Sequence, residues 1–175
     1  MRWLRLVVTP FLVLPVMAAS PAVAQQEADG TAGVAGDDAT TGLWQAGDPQ
    51  QTEYNGVIIQ PEDDHTEDPG QDCFITGLAS GSSAGDNDVD DGCTTLLSPI
   101  FDLSGVDRAF VKYWLWFTQD GLTPWDDEFA VDVSGDGGAN WTVLERVPGN
   151  ENSWQQVVAD IGALLGGLTS QVQSR

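Results

Sequence analysis

Residues 109–117 are almost entirely β-branched or aromatic, and only Lys112 interrupts the apolar run. Such a segment predicts a strand covered on both faces. Residues 128–134 alternate instead. Phe129, Val131 and Val133 point one way, and Ala130, Asp132 and Ser134 the other. That period predicts a strand with one buried face. Gly135-Asp136-Gly137-Gly138 supplies the positive-φ residues of a tight turn, and 141–144 returns as the hairpin partner.

The flanking sequence repeats this short-strand pattern. Val57-Ile58-Ile59 is a strand stopped by Pro61, and Cys73-Phe74-Ile75-Thr76 is another. Further strands are expected at 94–97, 154–161 and 170–174. The one candidate helix, 161–165, is flanked by glycines and is short for an independent helix. Many short strands, frequent turns and no helical period predict an all-β fold, an antiparallel β-sandwich of the jelly-roll kind.

The two ends of the N-terminal region differ from this. Arg2 and Arg5, the apolar run 6–17 and Ala22-Val23-Ala24 match a secretory signal peptide over 1–24. Pro10, Pro15 and the run's length argue against a retained anchor. Localisation is therefore expected to be secreted or extracytoplasmic, with no membrane span. Residues 25–41 hold mainly Ala, Gly, Asp and Thr, which predicts a disordered acidic leader to a domain over 42–175.

Removing the signal peptide leaves 27 acidic groups against four basic ones: Arg108, Lys112, Arg146 and Arg175. Such a surface repels nucleic acid and attracts cations. The densest oxygen cluster contains Asp86, Asp88, Asp90 and Asp91, between Gly85 and Gly92. Asp126-Asp127-Glu128 and Glu62-Asp63-Asp64 are two more. Calcium takes about six to eight oxygens, and crowded carboxylates gain by binding it. A structural calcium held by some of Asp86, Asp88, Asp90, Asp91, Asp126, Asp127 and Asp63 is one expectation. Solvated acidic loops are the other. The spacing is not that of an EF-hand, because Asp91 stands at the sixth position and Leu97 at the twelfth.

Cys73 and Cys93 flank the long loop 77–92 and are the only cysteines. In an oxidising compartment they are expected to form a disulfide. His65 is the only histidine, too few for a catalytic zinc, and no serine lies in a nucleophile elbow. A turn that fixes His65 between Asp64 and Thr66 is the favoured reading. No catalytic constellation stands out, so the chain is expected not to be an enzyme. The alternative is a glycan hydrolase using an acid pair, with Trp116 or Trp125 stacking on sugar. Asn140-Trp141-Thr142 is a glycosylation sequon, which matters only in a eukaryotic secretory pathway.

Pro61-Glu62-Asp63-Asp64-His65-Thr66, Gly70 and Thr95-Leu96-Leu97-Ser98-Pro99 resemble the signature of MAM-type jelly-roll domains. Tyr113-Trp114-Leu115-Trp116, residues 129–134 and Trp154-Gln155-Gln156-Val157 follow in the family's order. Asp88 to Gly92, and Ser134 to Trp141, are similar to a bacterial variant appended to secreted metallopeptidases and adhesin-like surface proteins. The resemblance covers 42–175. It implies a non-catalytic sandwich that adheres to or binds a glycan or extracellular protein, often near a metal ion. It also allows a non-catalytic fragment of a larger secreted metallopeptidase. The family's four-cysteine pattern is not reproduced here. The family also continues past 170–174 into a closing strand, so an open sheet edge and self-association are expected.

Overall fold

The computed structural model describes residues 4–8, 12–16, 26–27, 31–66, 72–83, 85–86, 88–119, 127–147, 149 and 151–175. The elements in order are β1 (Leu4–Val8), β2 (Leu12–Val16), β3 (Gln26–Glu27), β4 (Thr31–Ala32), β5 (Trp44–Gly47), β6 (Thr52–Tyr54) and β7 (Val57–Gln60). There follow β8 (Cys73–Thr76), β9 (Leu96–Leu97), β10 (Arg108–Gln119), β11 (Phe129–Ser134), β12 (Thr142–Val147), β13 (Glu151–Asp160), α1 (Ile161–Leu165) and β14 (Gln173–Ser174). The fold is all-β, as the short-strand pattern predicts.

Two sheets carry the core. The larger runs β3-β2-β10-β1-β8-β5, with β13 on the other edge of β10. The smaller runs β12-β11-β14. Among the described residues the strand pairings are antiparallel, and β4-β9 and β6-β7 are two-stranded ribbons. Ala109, Val111, Tyr113, Leu115 and Phe117 of β10 share one apolar cluster with Phe129, Val131 and Val133 of β11. Side chains two apart on a strand share a face, so this cluster is the layer between the sheets. The Phe117 and Phe129 rings lie 6.0 Å apart across it. The buried hydroxyl of Tyr113 crosses to Glu145 of β12. Burial, then that carboxylate, raises the Tyr113 pKa. On the other face of the large sheet, Trp116 packs with Cys73 and Ile75.

The β11–β12 hairpin forms as its sequence predicts, pairing Phe129 with Val147 and Val133 with Thr142. Gly137 and Gly138 take φ of 71° and 87°. Asp136 anchors the turn. It accepts from the Asn140 side chain (2.6 Å), the Asn140 amide (2.8 Å) and the Ser134 hydroxyl (2.8 Å). These bonds, the Asn140 side chain first, hold its carboxyl down to about 2 from the ordinary 3.8. A depressed folded-state pKa contributes stability above the unfolded value, and that contribution is lost as pH falls through the folded value. Asp136→Asn should therefore flatten the loss of melting temperature between about pH 4 and pH 2. A variant whose acid limb matches the parent chain would show that the turn carboxylate does not act this way.

Four features add to the sequence reading. Asp132 and Ser134, on the expected open face of β11, are buried. Residues 161–165 are helical despite their length, because Asp160 caps Ala163 N–H (3.2 Å) and Gly166 ends the helix at φ 72°. The stretch 33–41, part of the leader expected over 25–41, is hydrogen-bonded to the acidic loop. Thr95 donates through its amide (2.8 Å) and hydroxyl (2.7 Å) to Asp37, and Thr40 N–H donates to the Asp90 carbonyl (3.0 Å). Finally, the segment 170–174 is flanked on both sides. Gln173–Ser174 pairs with β11, and Val172 bridges Phe101. Among the described residues no helix is long and apolar enough to cross a membrane.

Candidate binding cleft

The end of the acidic loop, residues 92–96, faces the start of β11 across a cleft of about 540 Å³. Trp44, Leu96 and Phe129 supply apolar wall, while Asp127, Glu128, Arg146 and Arg175 supply charge. The two guanidinium groups are fixed by one buried carboxylate. Arg146 Nη1 lies 2.9 Å from Asp132 Oδ1, and Arg175 Nη2 lies 3.0 Å from Oδ2. Arg146 Nε reaches Glu128 at 2.9 Å. The Arg175 guanidinium also sits 4.5 Å over the Trp141 ring. The alternation of β11 points Asp132 away from the apolar cluster of Phe129, Val131 and Val133, and these two arginines bury it. Two positive charges thus balance Glu128 and Asp132. Half of the four basic residues after residue 24 stand at this one cleft. Both arginine side chains stay more than a third exposed, so each ion pair is screened by solvent.

The loop that walls the cleft is positioned by residues 33–42. Cys93 N–H donates to Asp38 Oδ1 (3.0 Å), and the Thr41 hydroxyl donates to the Asp88 carbonyl (2.8 Å). Trp44 Nε1–H donates to the Thr94 carbonyl (3.3 Å), which ties the cleft floor to the same loop.

The expected metal ligands have different surroundings. Asp127 lines the cleft beside Glu128, and Asp126 lies outside the described residues. Asp86 Oδ2 is occupied by the Ser82 amide (2.7 Å), the Ser82 hydroxyl (2.9 Å) and the Ser83 amide (3.0 Å). Those bonds, led by the Ser82 hydroxyl, hold its carboxyl below the usual range. Asp88 is buried, Asp90 lies 3.5 Å from the Thr41 hydroxyl, and Asp91 is exposed with φ of 56°. Asp63 is exposed on a separate loop. Among the described residues no three His, Cys, Asp or Glu side chains gather to hold a metal.

The disulfide expectation is corrected. Cys73 is a free thiol buried in β8, and Cys93 is a free thiol exposed on the loop, 3.7 Å from the Gly36 carbonyl. Flanking one loop in sequence did not bring them together, because β8 runs inside the large sheet and the loop folds toward residues 33–41. Burial, then Asp64, pushes the Cys73 thiol up to about 12. Burial also raises Cys93, followed by its contact with Asp38. A maleimide should label one thiol, Cys93, in the native chain and both after unfolding. Failure to label either thiol until reduction would restore the disulfide.

His65 is held by stacking as well as by its turn. Asp64 Oδ1 accepts from the Thr66 amide (2.7 Å) and hydroxyl (2.6 Å), an Asx turn. The imidazole lies 4.0 Å from the Trp114 ring and 6.1 Å from Trp154. Burial lowers its pKa, with Asp64 opposing and Lys112 adding to the shift. With its carboxamide turned to satisfy both, Gln156 accepts from Trp114 Nε1 (3.1 Å) and Lys112 Nζ (3.2 Å). Trp116 is not a sugar platform, since it is buried and donates to the Thr118 hydroxyl (3.2 Å). Trp125 lies outside the described residues.

Sequence reasoning picked out Asp127 but missed Thr94, Arg146 and Arg175. The only available signal was the scarcity of cations, which makes each remaining one a candidate for a specific pairing. Compared with protein families, curated proteins and solved structures, the chain matches none of them.

Proposed function

We propose that this chain is an exported, non-catalytic, MAM-like jelly-roll module that binds an extracellular glycan in the cleft between the acidic loop and β11. The observation that carries the reading is the charge-balanced Glu128–Arg146–Asp132–Arg175 chain beside apolar wall. A neutral polyhydroxyl ligand needs both donors and acceptors held in place, together with apolar contact for its C–H faces. The ion pairs pre-orient the polar groups, so little ordering cost remains for binding. A protein segment with neutral polar side chains is the other ligand of this chemistry.

A glycan array probed with the folded chain tests the reading, paired with a turnover assay on every hit. Ala130 lines the cleft, so Ala130→Trp should fill it and weaken binding at least tenfold while circular dichroism is unchanged. Binding that survives Ala130→Trp would move the site elsewhere, and turnover of a bound glycan would make the chain a hydrolase. Calcium is proposed as a stabiliser drawing on Asp126 and Asp127, which adjoin the cleft in sequence. At a hundredfold excess over its Kd, such an ion stabilises by about 2.7 kcal/mol. Equal melting curves in calcium and in chelator, at matched ionic strength, would remove the ion and leave the cleft untouched.

A further inference from the structure

The large sheet contains an interior place for one strand, and the residues filling it are those that read as a removable leader. β1 pairs with β10 from Leu4↔Gln119 to Val8↔Leu115, and with β8 at Val7↔Ile75 and Val8↔Phe74. It is antiparallel to both neighbours. β2 continues along the same edge of β10, from Arg108↔Val16 to Lys112↔Leu12. The opposite edge of β10 is occupied by β13. Strands in a sheet stand about 4.8 Å apart, so removing β1 leaves about two spacings between β8 and β10. Their facing N–H and C=O groups would then lack partners inside a sheet, which is costly for buried backbone.

We propose that the gap between β8 and β10 is a strand-acceptor site, filled after export by an extended apolar strand of another polypeptide. The proposal rests on the reading that residues 1–24 are removed. Residues 25–41, 67–71 and 120–126 are polar or rich in Gly and Pro, so none of these three stretches resembles the apolar β1. The donor is a segment of about five apolar residues, antiparallel to β10, as in strand-addition recognition generally. A basic residue within or beside it would suit a mature chain with 27 acidic groups against four basic ones, as Arg5 does in the leader.

Intact mass of the secreted chain first establishes whether residues 1–24 are gone. A labelled peptide of residues 2–9 is then titrated against the cleaved chain by fluorescence anisotropy. The expected result is saturable one-to-one binding, at least tenfold weaker for the Leu6→Pro peptide, with slowed amide exchange at 74–75 and 115–119. Proline cannot donate to the ladder, so it probes strand pairing itself. Equal binding of the two peptides would overturn the proposal, as would a cleaved chain that closes its edge in a dimer the peptide cannot dissolve. Should the cleaved chain not stay folded, Leu6→Pro in the uncleaved chain replaces it. Exchange should then rise at 115–119 while the β11–β12 hairpin is unaffected, and unchanged exchange at 115–119 would refute the slot. A retained leader by mass would defeat the export reading while this last measurement still reports on the slot.

Discussion

Phe117→Ala should cost about 4 kcal/mol, near the upper end for a large-to-small core substitution. Phe117 is fully buried and belongs to the layer between the two sheets, with its ring 6.0 Å from Phe129. Truncation removes apolar area from that layer and leaves a cavity that rigid strands on both sides cannot close. The substitution also removes a contact between β10 and β11, which belong to different sheets. Phe117→Leu keeps most of the volume and should cost under about 1.5 kcal/mol. Urea unfolding followed by tryptophan fluorescence measures both, and the midpoint should fall without a change in slope. A midpoint shift for Phe117→Ala no larger than for Phe117→Leu would mean that β10 and β11 do not pack face to face.

What the sequence revealed depended on how local each determinant is. β10, β11 and β8 were legible because strand periodicity and β-branched content are properties of a few consecutive residues. The hairpin turn was legible for the same reason, through its glycines. Asp160 and Gly166, the capping residues of α1, are equally local, but the segment between them is short for an independent helix. Other features needed partners far away in sequence. Burial of Asp132 depends on Arg175, 43 residues away, and on Arg146. Order in 33–41 depends on Asp37 and Asp38 meeting Thr95 and Cys93, and composition alone counted those aspartates as solvent-facing. The cysteines illustrate the opposite error. Closeness in sequence suggested a bond that the path of the chain does not allow. The cleft belongs with the long-range features, since its walls come from β5, the acidic loop, β11, β12 and the last residue.

Gly42→Ala should destabilise the chain by about 3 kcal/mol and weaken any ligand held in the cleft. Gly42 has φ of 62°, in the left-handed region that costs a residue with a Cβ about 1 kcal/mol or more. Sterics add the larger part. A Cβ at this position would overlap the Asp88 carbonyl and the Val89 amide nitrogen, which are backbone atoms that cannot rotate aside. Relief requires residues 33–41 to separate from the acidic loop. That would break the Thr41 to Asp88 bond (2.8 Å), the Thr40 to Asp90 bond (3.0 Å) and the Cys93 to Asp38 bond (3.0 Å). Val89, Cys93 and Thr94 would shift with the loop, and they line the cleft. Gly56→Ala separates the two contributions. Gly56 has φ of 80° with nothing within 4 Å of a new Cβ, so it carries the backbone strain alone, about 1 kcal/mol. Thermal and urea unfolding of both variants, with amide exchange at Ala39 and Cys93, measures the difference. Faster exchange at those two amides is expected for Gly42→Ala only. Equal losses of stability in the two variants, with exchange unchanged, would show that residues 33–42 do not lock the loop that walls the cleft.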